Sequence, residues 1–309
     1  MKIRLIFVFI MAGLSVQLFS QLPKVSKGTL VRIANFSSDY VTARNIDIWL
    51  PDGFDQEKRY PVLYMHDGQL LYDSTITWNG QAWDVDEVIS ELVSGKKIRE
   101  VMVVGIWNSG QTRHSDYFPQ KPFESLSAAQ RDSIFNSLRN NHTPIFYEEK
   151  VVSDNYLKFL VKELKPFIDK TFPTLPNRED TFISGSSMGG LISMYAICEY
   201  PEVFGGAACL STHWPGVFTM DNNPIPDAYL KYLKANLPDP KNHKIYFDYG
   251  TATLDALYPP LQKKVDEVMK LRGFTPDNWI TLEFPGEDHS ERAWNRRLEV
   301  PLRFLLMSN

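Results

Sequence analysis

The segment Thr181-Phe-Ile-Ser-Gly-Ser-Ser-Met-Gly-Gly-Leu191 runs from an apolar strand into Gly-x-Ser-x-Gly and straight on into an apolar helix. So tight a turn forces its central residue, Ser187, into strained backbone that only glycine neighbours permit, and it exposes the hydroxyl at the C-terminal edge of a sheet. The rest of the chain supplies such a sheet, because short β-branched and aromatic runs alternate with longer segments of helical period. Two early runs, 28–37 and 43–50, have no helix between them and are expected to pair antiparallel at one edge. Strands are expected over 60–65, 101–107, 180–184, 206–210, 244–248 and 279–284, and helices over 85–93, 154–170, 189–200, 227–235 and 257–272, with a last helix from 291. This predicts a single doubly wound α/β domain over 21–309, mostly parallel and without internal repeats. Residues 108–152 form a polar insertion carrying Pro119, Pro122 and Pro144, longer than a plain connection and of a size that is usually functional or mobile. A helix around 127–138 would make it a small cap beside the sheet.

The 309 residues are 43% hydrophobic and 23% charged, enough for a sizeable core and unlike a disordered or fibrous chain. The first twenty have a basic start, an apolar stretch and a small residue before Gln21, the pattern of a cleaved signal peptide, so a periplasmic or secreted protein is expected. Without Lys2 and Arg4 the 33 basic residues become 31 against 37 acidic ones, a formal charge of −6. Nucleic acid is then an unsuitable partner, because no surplus of cations is left to displace counterions from phosphates. No later stretch is long and uncharged enough to span a membrane. Cys198 and Cys209 both lie in apolar runs, where a free buried thiol is commoner than a pair. His and Cys nowhere recur at ligand spacing, so neither a metal nor a cofactor is expected.

A serine hydroxyl needs a base, and on this architecture the acid and histidine follow the serine in the chain. His289, in Phe284-Pro-Gly-Glu-Asp-His289-Ser, lies between the last expected strand and the last helix; His213 is its rival. The orienting acid should come from the loop after strand 244–248. Asp255 lies past that strand's end, whereas Asp248 is still inside it, and the alternative for Asp255 is a helix N-cap. An oxyanion hole would use the backbone N–H of Met188 and one from the loop after Tyr60-Pro-Val-Leu-Tyr-Met-His-Asp-Gly-Gln69, with Gln69 the candidate through its N–H.

From about Ala43 to the C-terminus the chain resembles the esterase D family of α/β-hydrolases, which includes enterochelin, feruloyl and acetyl-xylan esterases. The resemblance is carried by the segment 60–69 above, Phe159-Leu-Val-Lys-Glu-Leu-Lys-Pro-Phe-Ile-Asp169, Ser184-Gly-Ser-Ser-Met-Gly-Gly-Leu191, Tyr200-Pro-Glu-Val-Phe204 and Asp288-His289. It implies an α/β-hydrolase fold with Ser187 as nucleophile, Asp255 as acid, His289 as base, and Gln69 and Met188 as oxyanion donors. More residues separate Gly250 from Asp255 than in feruloyl esterases of this family. The implied activity is serine ester hydrolysis on a small-molecule or polysaccharide ester, first on carbohydrate-linked acetyl or feruloyl groups and second on siderophore esters. Acyl transfer to an alcohol shares the same intermediate, and a binding protein that keeps the fold without catalysis is the reading from another class. Arg113 could hold an acidic or hydroxyl-rich substrate or simply be solvated. Trp107, Tyr117, Trp214 and Tyr258 fall at or after strand ends and could line the site or pack in the core.

Overall fold

The computed structural model describes residues 21–139 and 141–307; the expected leader, 1–20, lies outside them. Eight strands form one sheet: β1 (Thr29–Phe36), β2 (Arg44–Leu50), β3 (Val62–His66), β4 (Met102–Ile106), β5 (Thr181–Ser186), β6 (Gly206–Leu210), β7 (Lys244–Gly250) and β8 (Trp279–Phe284). Their spatial order is β1-β2-β4-β3-β5-β6-β7-β8, with β1, β2 and β4 antiparallel in succession and every later pair parallel. The antiparallel edge expected for 28–37 and 43–50 is therefore present. β3 to β6 are buried along their whole length, which is why they read as continuous apolar runs without alternation.

The period of two reappears in how those runs divide between the faces. Val62 and Tyr64 pack into one core with Met102, Val104 and Ile106 of β4, while Leu63 and Met65 pack into a second core with Val101 and Val103. The first core is closed by the long helix of 153–171 and by α-helices over Met188–Glu199, Ile225–Asn236 and Pro259–Leu271. The second is closed by helices Val85–Ser94, Glu291–Arg297 and Glu299–Leu306. Met188–Glu199 is buried on all sides through Cys198, as expected of a central helix without a polar stripe. Cys198 and Cys209 are free and buried.

Three expected helices differ in detail. The helix of 154–170 is α over Ser153–Lys158, π over Phe159–Leu164 and α again over Lys165–Thr171. Pro166 lacks the N–H an unbroken α ladder would use, and the wider turn directly precedes it. The helix expected from 257 starts at Pro259, after a 3-10 turn over Thr253–Leu257, and the last helix is broken at Leu298. The insertion is more structured than its polarity suggests. It holds helices Arg113–Tyr117, Gln120–Glu124 and Ala128–Phe135, the last opened by a capping box between Ser127 and Gln130. Phe118 meets Phe123 at 5.8 Å and Phe146 at 5.2 Å, and Phe123 meets Phe135 at 5.0 Å, so the insertion has an aromatic core continuous with the first core of the domain.

The parallel strands end level with one another: Ser186 lies beside Leu210, and Leu210 beside Asp248. β3 separates β4 from β5, so the chain crosses to opposite sides of it in successive connections. Ligands of open α/β sheets enter at such a reversal, beyond the carboxyl ends of the strands.

Candidate active site

Ser187 directly follows β5 and has φ 58° and ψ −121°, a region that side-chain-bearing residues avoid. The strain is possible because strand and helix cross almost in contact: a Cβ on Gly185 would lie 2.8 Å from the carbonyl carbon of Gly189. Backbone bonds hold the turn from the neighbouring strand end, with Ser187 N–H donating to Leu210 O at 2.9 Å and His213 N–H to Ser187 O at 3.2 Å. Ser187 is half-buried, and the N–H of Met188 opens the helix, where no intrahelical acceptor exists for it.

The loops after β7 and β8 are laced together by Thr251 and Ala252 N–H donating to Glu287 O and by His289 N–H donating to Thr253 Oγ1 at 2.9 Å. This places the fully buried Asp255 2.5 Å from His289 Nδ1. Burial alone would raise the Asp255 carboxyl, but the bond and charge of His289, with bonds from Ser211 and Gly250, hold it below the usual carboxylate range. An ionised carboxylate only accepts, so Nδ1 carries the proton and Nε2 is left as a base. Among the described residues no hydrogen bond joins Ser187 Oγ to His289. Such contacts in ligand-free enzymes often tighten only when substrate arrives.

Beneath Asp255 lies a buried polar network that sequence reasoning missed. Ser211 Oγ donates to Asp255 Oδ2 at 2.5 Å and accepts from Trp294 Nε1 at 2.9 Å and Arg297 Nη2 at 2.8 Å, which uses its donor and both acceptor positions. Arg297 also binds Asp248 at 3.0 Å, and Tyr246 OH donates to the other oxygen of Asp248 at 2.9 Å. Asp248, the rival acid, is thus engaged inside β7 by the last helix and does not reach a histidine. His213, the rival base, is buried, bonds Tyr258 OH through Nδ1 at 2.9 Å and, among the described residues, is hydrogen-bonded to no carboxylate. Burial, and then the nearby charge of His289, push its pKa down to about 3.

On the other flank, Asp67 takes a left-handed conformation, φ 57° and ψ 44°, and starts the short turn Gly68–Leu70 that carries Gln69. Gly68 is needed there, because a Cβ would lie 2.6 Å from the carbonyl carbon of Gly105 in β4. Arg113 grips Asp67 through Nε to Oδ1 and Nη2 to Oδ2, both at 2.7 Å, and Asn108 Nδ2 adds a third bond at 2.7 Å. Burial would raise the Asp67 carboxyl, but Arg113 and Asn108 outweigh it and hold it low. The Nε–Nη2 edge of Arg113 therefore serves the turn that carries Gln69. The Gln69 side chain is itself tied down, its Oε1 accepting from Asn108 N–H at 3.2 Å.

The four candidate aromatics are not brought together as one wall. Tyr117 is buried under the Arg113–Asp67 pair, with Arg113 5.2 Å above its ring and its OH accepting from Asp67 N–H at 3.4 Å. Trp214 is buried and donates to Gln262 Oε1 at 2.8 Å, while Trp107 turns to the β2 edge, donating to Asp47 at 2.7 Å beneath Arg32. Tyr258 alone meets the base, its buried ring lying edge-on to His289 at 5.9 Å. No group of His, Cys, Asp and Glu among the described residues could hold a metal ion, and none of the described helices is long and apolar enough to cross a membrane.

An eight-stranded, mostly parallel sheet with its strained strand-to-helix serine at the strands' carboxyl ends defines an α/β-hydrolase. The chain belongs to the Esterase family, whose model, described as "Putative esterase", matches residues 37–305, and membership supports carboxylic ester hydrolysis as the activity class. It is 23% identical over 280 residues to an endo-1,4-beta-xylanase/feruloyl esterase of Xylanibacter ruminicola, covering 89% of this chain and 31% of that longer protein. In structure it is similar to a ferulic acid esterase of Anaeromyces mucronatus solved with ferulic acid, at TM-score 0.62 and 20% identity over 92% of each chain. It is also similar to the enterobactin esterase FES of Shigella flexneri, at TM-score 0.60 and 16% identity over 92% of this chain and 60% of that one.

Proposed function

We propose that this chain is an exported serine carboxylester hydrolase that removes acetyl or feruloyl groups from carbohydrate through an acyl-enzyme. The observation that carries the reading is the 2.5 Å bond from His289 Nδ1 to the buried Asp255, which leaves Nε2 as the base on the sheet edge where Ser187 is strained outward. Ser187 Oγ attacks the ester carbonyl while its proton passes to His289 Nε2, and the tetrahedral oxyanion is met by the N–H groups of Gln69 and Met188. The tetrahedral intermediate collapses, the alkoxide leaves with the proton from His289, and water, deprotonated by the same nitrogen, releases the acid and restores Ser187. The likeness to feruloyl esterases supports the carbohydrate-linked substrate.

The test is a panel of acetylated xylan, methyl ferulate, enterobactin and short aryl acetates, run with the purified protein and its Ser187→Ala variant. Release of acetate or ferulate by the unsubstituted protein alone is the expected result. Activity retained by Ser187→Ala would sink the nucleophile assignment, and turnover of enterobactin alone would move the substrate to siderophores. Folded protein that a fluorophosphonate probe leaves unlabelled would instead be a binding module.

A further inference from the structure

The insertion forms an open cavity of about 820 Å³ between the turn at Gly110 and the bridge that pairs Leu138 with Pro144. Phe135, Phe146 and the half-exposed Tyr147 give it aromatic walls, and Arg139 lines the same space. The Arg139 guanidinium lies 5.9 Å from the Phe218 ring, and that ring lies 5.5 Å from His213, whose N–H holds the carbonyl of Ser187. Two ring contacts and one backbone hydrogen bond thus connect Arg139 at the cavity to the backbone of Ser187.

Arg139 is half-buried, yet its guanidinium makes only one hydrogen bond among the described residues, Nη2 to Ile145 O at 3.5 Å, and has no carboxylate within ion-pair reach. Burial and the like charge of Arg113 both work against it, pulling its pKa down. Arg113, by contrast, has Asp67 as its carboxylate partner. A guanidinium kept half-desolvated beside another cation, with donors unused, is matched to a planar oxyanion, which it can grip with two parallel bonds. The cavity is also lined by Glu148, bonded to Lys150 at 2.9 Å, and Glu149. Those carboxylates disfavour a polyanion and suit a ligand with one anionic group on an otherwise neutral ring.

We propose that this cavity is a subsite for an anionic oxygen group, a carboxylate or a ring oxyanion, carried by the part of the ester substrate beyond the reacting carbonyl, with Arg139 as its cation and Phe135 and Tyr147 stacking the attached ring. The inference rests on the ester-hydrolase reading above.

The test compares kcat/KM for matched esters: a neutral feruloyl oligosaccharide, the same compound bearing a glucuronate, and a 2,3-dihydroxybenzoyl ester. The unsubstituted protein should favour at least one anionic ester over the neutral one by about tenfold, which one distinguishing carboxylate from catecholate. Arg139→Gln should bring that ratio to about one, and Arg139→Lys should keep part of it, with thermal midpoints checking that each variant folds. No preference in the unsubstituted protein, or a preference that survives Arg139→Gln, overturns the subsite. If no ester is turned over, the hydrolase reading fails separately. Calorimetric binding of the glucuronate-bearing and neutral oligosaccharides to Ser187→Ala then decides the subsite, equal affinities overturning it.

Discussion

The two flanks of Ser187 are anchored in different ways. On the base side, Asp255 and His289 rest on Ser211, Asp248 and Arg297, all buried and all supplied by the sheet and the last helix. On the oxyanion side, the strained turn at Asp67 is held by Asn108 and Arg113, which belong to the start of the insertion. The proposed base is therefore held by the domain core, whereas of the two proposed oxyanion donors Gln69 depends on how the insertion folds and Met188 does not.

Four experiments would break or sharpen this contrast. The largest effect is expected for Asp255→Asn, which leaves an amide where the imidazole needs an acceptor; kcat on an aryl acetate should fall on the order of 10⁴-fold. A small loss would mean that His289 is oriented by something else. Next, Arg297→Met strips the counter-charge from Asp248 and a donor from Ser211, and chemical denaturation should register a loss of about 3–5 kcal/mol. If stability hardly changes, the base side is not anchored by the last helix.

Arg113→Gln tests the other flank. It should lower kcat by about 10- to 100-fold with little change in KM, through a displaced donor at Gln69, and Arg113→Lys should recover part of the loss. A variant that melts early but turns over normally would remove the insertion from catalysis.

The fourth experiment concerns acid. His66 and His213, one on each flank, are buried and pushed down to about 3, in both cases first by burial. The unfolded chain takes up protons near 6.5 that the folded chain refuses, so their contribution to stability is complete above that value and is lost as pH falls toward 3. Each histidine should cost about 1.4 kcal/mol per pH unit across that window. Urea midpoints between pH 6 and 4 should fall less steeply for His66→Gln, and an unchanged slope would show that His66 is not neutral in the folded protein.

The sheet was largely legible before the structure, because strands buried on both faces read as unbroken apolar runs and glycine and proline mark their ends; Gly206–Leu210 and Trp279–Phe284 fall where they were expected. What could be read of the site was which residues sit at strand ends and in what chain order. The partners of those residues were not legible. Arg113 looks like any loop arginine until Asp67, 46 positions earlier, is seen to accept from both Nε and Nη2. Ser211 shows nothing in sequence of the three bonds its hydroxyl makes, to residues 44, 83 and 86 positions away. The aromatic residues misled for a related reason, since burial of Trp214 and Tyr117 depends on what covers them.

By itself, then, the sequence determined the local conformations: the strained turn at Ser187, the alternation of strand and helix, and the order of serine, acid and histidine. These follow from glycine placement and hydrophobic period, which act within a few residues. Tertiary structure decided which strands lie side by side, so that the loops after β3, β5, β7 and β8 lie along one edge of the sheet, and which polar groups meet there. Hydrogen bonds and ion pairs reach only a few ångströms, and nothing short of the folded sheet brings residues so far apart in the chain within that range.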